Sequence, residues 1–130
     1  MRKELEQIFQ RHFGLILRLN EVALSREQTD ALKLTKLRVD LSNSVMAMQR
    51  EVPEMILARS PSSQTLQLLE SYRAAFAEER SRITEHQSRW TAPAMAADRP
   101  GYERDVKSLF GVHKDNHEWR MTTMIPQLEA

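Results

Sequence analysis

The spacing of apolar residues constrains this chain more than any other feature. They recur every three or four residues over long stretches, and strand-like alternation is absent. Such positions line one face of a helix and would scatter over both faces of a strand. The first stripe is Leu5, Ile8, Phe9, His12, Leu15, Ile16, Leu19 and Val22, which predicts a helix over residues 2–24. Gly14 falls inside it, at a cost of about 1 kcal/mol against alanine. It either lets a neighbouring helix approach or is simply tolerated.

A second stripe (Leu34, Leu37, Leu41, Val45, Met48, Val52) predicts a helix over 26–57, with Ser25 and Gln28 at the spacing of a capping box. Pro53 is expected to bend or end its regular part, because proline lacks an N–H and clashes with the preceding turn. Met55, Ile56 and Leu57 are expected to close the bottom of the core. A third stripe (Leu66, Leu69, Tyr72, Phe76, Ile83, His86, Trp90) predicts a helix over 61–91, with Ser60 as N-cap and Pro61 in the first helical position. Residues 91–100 read as a connector with one helical turn at 94–97. Asp98 then caps a last helix over 99–126, closed by Pro126. Four amphipathic helices with short links predict an all-α chain, an up-down-up-down four-helix bundle forming one domain over 1–130.

Composition narrows function by exclusion. The net charge of +1 offers no bulk attraction for nucleic acid or a membrane surface. Without cysteine there is neither disulfide nor thiolate metal site, which suits a reducing cytoplasm. No apolar run approaches the ~18 residues that span a bilayer, and Glu4, Glu6 and His12 argue against a signal peptide. There is no glycine-rich phosphate loop and no nucleophile–base pair at readable spacing, so the chain reads less as an enzyme than as a binding module. The enzyme alternative, such as a peroxide-handling metalloprotein, needs an open metal position that the sequence does not show. The charged runs Glu78-Glu79-Arg80 and Glu103–Lys107 read as solvated helix faces. Arg120 lies near the inner face of the last helix, and Glu51 is its candidate partner. Trp119 falls off the stripe and reads as an exposed contact residue. With Leu24 and Leu32 it outlines a strip suited to a homodimer; otherwise the chain is a monomer.

All four histidines lie on apolar stripes. At about 1.5 Å per residue, His12 and His117 fall at one level, with His113 one turn above. His86 lies ~15 Å or more away by the same rise, near the top. Imidazoles on facing helices are how bundles build metal sites, so His12, His113 and His117 are the candidate ligands. Facing them are Ser44, Met48, Phe76 and Met121, with no carboxylate among them.

Residues Glu85-His86-Gln-Ser-Arg-Trp90-Thr91, the connector to Tyr102, and the ending Met124-Ile125-Pro126-Gln-Leu128 resemble a bacterial subgroup of the hemerythrin-like (HHE-type) four-helix bundles. His12 matches the single ligand such proteins carry on their first helix. The resemblance implies a diiron centre, which takes His-x-x-x-Glu on the second helix, a histidine on the third and His-x-x-x-Glu on the fourth. Here the corresponding places hold Ser44 and Met48, Phe76, and His117 with Met121, the last match requiring a one-residue shift relative to Pro126; without the shift the places are Asn116 and Arg120. The implied protein has lost its diiron site, carries no cofactor, and acts as a non-enzymatic binding or regulatory module for another protein or a small ligand. The alternative is a mononuclear iron or zinc protein, or an oxygen or redox sensor, using His12, His113 and His117.

Overall fold

The computed structural model describes residues 1–25 and 31–128, and every regular element in them is helical. Helix α1 spans Arg2–Leu24 and α2 spans Ala31–Met46. A π-helical turn at Ala47–Glu51 carries α2 into α3, Val52–Leu57. Then come α4 (Ser63–Arg89), the short α5 (Ala92–Ala97) and α6 (Arg99–Trp119). A second π turn, Arg120–Met124, leads into α7, Ile125–Gln127. The capping box expected at Ser25–Gln28, and the expected helix start at 26–30, lie outside the described residues.

The two π turns have one cause. Each is followed, after a single residue, by a proline: Pro53 and Pro126. A proline inside a helix clashes with the carbonyl four residues earlier, and one extra residue in the turn moves that carbonyl away. The last N–H before each proline accordingly reaches back five residues, Val52 to Ala47 and Ile125 to Arg120. The next bond in the first turn would run from Pro53 to the Met48 carbonyl, but proline has no N–H. The Tyr72 hydroxyl, on α4, donates to that carbonyl instead. The helix therefore continues past Pro53, although its regular α geometry is interrupted after Met46, and the last helix ends at Gln127, one residue beyond Pro126. The π turns also shift register. Buried residues step by four through Ser44, Met48, Val52 and Ile56, and again through Arg120, Met124 and Leu128.

Side-chain pairs fix how the helices lie. His86 meets Asp105, Arg82 meets Ser108, and Glu79 meets Asn116, so α4 and α6 run antiparallel. Arg2 donates to the carbonyl of Leu128, while Arg99 donates to those of Ala23 and Ser25, so α1 and α6 are antiparallel too. A lower core gathers Leu5, Phe9, Met48, Tyr72 and Met124. An upper cluster holds Trp90, Tyr102 and Val106. No described helix is long and apolar enough to cross a membrane.

Several local expectations change. Ser62, not Ser60, caps α4, accepting the Thr65 N–H at 3.2 Å. Ser60 adopts φ 46°, the left-handed turn that terminates the preceding helix. Leu57 and Leu66 are exposed instead of buried. Trp119 is half-buried against the lower core, so its indole is not a free contact residue. Leu24 packs against the upper cluster, leaving Leu32 as the exposed member of the expected strip. Asp98 caps α6, as its position suggested, and Thr91 caps α5. A Cβ added at Gly14 would meet nothing within 4 Å, so this glycine serves no close approach.

Candidate functional site

Glu79 is fully buried at the middle of the packing, between α1, α4 and α6. The reading of Glu78-Glu79-Arg80 as a solvated face is therefore wrong at its central residue. The position was recoverable from spacing. Leu69, Tyr72, Phe76, Ile83, His86 and Trp90 step by three and four except for one gap of seven, and Glu79 fills that gap at the correct interval. A buried carboxylate survives only if its charge and lone pairs are matched, and here they are. Oε1 accepts from Asn116 Nδ2 and from Arg120 Nη2, each at 2.7 Å. Oε2 accepts from His113 Nδ1 at 2.6 Å and from His12 Nε2 at 3.3 Å.

Arg120 supplies the compensating charge. It is 2% exposed, and its guanidinium lies over the rings of Phe9, Tyr72 and Phe76 at 5.7–5.8 Å. Its partner is Glu79, not Glu51, which is exposed. The second π turn, which opens at Arg120, carries Met124 and Leu128 inward with it and leaves Met121 only half-buried. Burial pushes the Glu79 carboxyl up, but the His113 and His12 hydrogen bonds and the Arg120 charge outweigh it and hold the group well below the usual carboxylate range.

The hydrogen bonds assign the tautomers. With Glu79 ionised, His12 donates from Nε2 and accepts at Nδ1 from the Ser44 hydroxyl at 2.9 Å. Burial keeps His12 neutral by lowering its pKa, against the opposing pull of Glu79. His113 donates from Nδ1, which leaves a lone pair on its Nε2. The centre is thus one anion, one cation and two oriented imidazoles.

Of the three expected ligands, His12 and His113 converge, and Glu79 joins them: one donor atom from each lies within 4.8 Å of the other two. His117 is not part of this group. Its ring stacks on Phe13 at 4.2 Å, its Nδ1 is buried without a hydrogen bond, and burial lowers its pKa. Counting by level pairs His12 with His117, and His117 does lie against α1 at Phe13, the neighbour of His12; the face it occupies, not its height, keeps its ring out of the central group. The expectation that no carboxylate faces His12 is overturned by Glu79.

A second, half-buried acid stands higher up. Asp105 Oδ2 accepts from His86 Nδ1 at 2.7 Å and from Trp90 Nε1 at 2.8 Å. Burial raises the Asp105 carboxyl, and these two hydrogen bonds more than offset it, leaving the group below its ordinary value. His86 stacks on Tyr102 and stays apart from the central group, as its height implied. Between the two centres lies a cavity of about 320 Å³, lined by both His113 and His86.

The donor set does not match a two-iron centre. Glu79 is the single carboxylate in the central group, and a guanidinium already sits on its outer oxygen. For one metal ion the fit is partial. Tetrahedral ligands at 2.0–2.1 Å stand about 3.3 Å from one another, which the His12–Glu79 separation meets at 3.3 Å. The His113–Glu79 separation of 2.6 Å is that of a hydrogen bond. No family model matches the chain, and neither does any curated protein or solved structure.

Proposed function

We infer that the chain is a hemerythrin-like up-down-up-down four-helix bundle in which a protein cation has taken the place of the metal, and that it works as a non-enzymatic binding or regulatory module. The antiparallel relations of α1, α4 and α6 support the bundle topology. One observation carries the rest: Arg120 is buried at the centre with its guanidinium 2.7 Å from Glu79, and every acceptor site on that carboxylate is filled by a side chain. A metal ion would have to displace protons from His12 Nε2 and His113 Nδ1 and share its carboxylate with a neighbouring guanidinium. Each of these lowers affinity.

A second reading, a mononuclear iron or zinc site, draws support from the convergence of His12, Glu79 and His113. Elemental analysis of untagged protein separates the two. After incubation with iron(II) or zinc and desalting, the first reading expects less than about 0.1 metal per chain. A content of about one per chain, abolished by His113→Ala, would establish the second reading instead.

A further inference from the structure

Two imidazoles line the 320 Å³ cavity, and both are held from behind in the same way. His113 is anchored through Nδ1 by Glu79, and His86 through Nδ1 by Asp105. Neither Nε2 has a hydrogen-bond partner among the described residues. A buried nitrogen in that position would rank with the unpartnered buried atoms, which are Asn20 Oδ1 and His117 Nδ1. The Nε2 atoms are therefore not sealed off, and both residues line the cavity. Asp105 and His113 are eight positions apart on α6, a rise of about 12 Å, so the two imidazoles stand toward opposite ends of it. The remaining lining is mixed: Ile16, Leu41, Ile83 and Leu109 are apolar, while Arg38, Arg99 and Asn20, whose Oδ1 is buried and unpartnered, are polar. A few fixed polar atoms in a half-open, mainly apolar recess of this size describe a small-molecule pocket.

The inner end sets the chemistry. Glu79 takes the hydrogen bond from His113 Nδ1, so in the neutral ring the free lone pair lies on Nε2; the residue is 5% exposed and that atom has no partner among the described residues. We propose that this cavity binds a small, largely apolar molecule bearing one acidic hydroxyl, of the phenol class, with the hydroxyl donating to His113 Nε2. This rests on the reading that Arg120, not a metal, closes the centre. A metal held by His113 Nδ1 would move the proton to Nε2 and turn that atom into a donor.

The test compares p-cresol with p-xylene, which has the same shape and a methyl group in place of the hydroxyl. Binding is followed by amide chemical-shift titration of the full chain in EDTA. An unpaired hydroxyl loses its hydration on entering an apolar cavity, so without His113 p-xylene binds tighter. The expected result is that p-cresol binds at least as tightly as p-xylene. In His113→Phe, p-cresol is expected to weaken about ten-fold, with p-xylene changed less than about two-fold. Leu41→Phe, which fills the cavity away from the central network, is expected to lose both. Tighter p-xylene binding in the wild-type chain overturns the proposal, as does absence of binding by both probes. Failure of the underlying reading looks different: protein incubated with zinc and titrated without EDTA holds about one metal per chain by elemental analysis, and the wild-type preference passes to 4-methylacetophenone, which can only accept.

Discussion

Replacing Glu79 by glutamine tests the buried centre directly. The substitution keeps the volume and removes the charge, leaving Arg120 at 2% exposure with no anion beside it. It also spoils the hydrogen bonding. One edge of the carboxylate faces the His12 and His113 N–H groups, and the other faces Asn116 and Arg120. Whichever way the amide turns, its NH₂ confronts two donors. Breaking a buried ion pair from one side costs about 3–5 kcal/mol, out of the roughly 5–15 kcal/mol that holds a domain together. With a urea m-value of about 2 kcal/mol/M, the unfolding midpoint should fall by about 1.5–2.5 M. Far-UV circular dichroism in urea at pH 7 measures this. The double variant Glu79→Leu with Arg120→Met removes both charges and should recover most of the loss, because an apolar pair replaces a desolvated one. A loss under about 1 kcal/mol for Glu79→Gln would mean that water reaches Arg120, and the account of a closed centre would be wrong.

Acid should destabilise the fold in two stages. The folded pKa of His12 lies below its ordinary 6.5, so the unfolded chain binds more protons below that pH, and stability falls as pH drops from 6.5 toward the folded value. Glu79 is depressed from 4.5, so its contribution is whole above that pH and declines as pH falls further. Urea midpoints from pH 8 to pH 3 should show both stages, and His12→Asn should flatten the first; an unchanged slope above pH 4.5 would refute the role given to His12. Tyr72→Phe should cost about 1–3 kcal/mol in the same assay, since it strands the buried Met48 carbonyl that Pro53 cannot serve. Gly14→Ala and Gly111→Ala lie in helix interiors with open space around the added carbon, and each should raise stability by about 0.5–1 kcal/mol.

Helical periodicity alone determined most of the architecture. The first helix falls at Arg2–Leu24 as expected, the Asp98 cap and the turn near Ala94–Ala97 were readable from local chemistry, and His12 and His113 were placed inward by their stripes. These depend on neighbours within a turn or two, which a linear sequence displays. The site depended on what it does not display. Glu79 occupied a stripe position all along, but a glutamate between Glu78 and Arg80 reads as surface until a cation from another helix is known to meet it. That cation, Arg120, is 41 residues away. Its place near the inner face was legible from the stripe, but its partner was not, and the π turn that opens at Arg120 sets the register of Met124 and Leu128 beyond it. A charge is buried only where opposite charge and hydrogen bonds converge on it in space, and that convergence belongs to the tertiary structure.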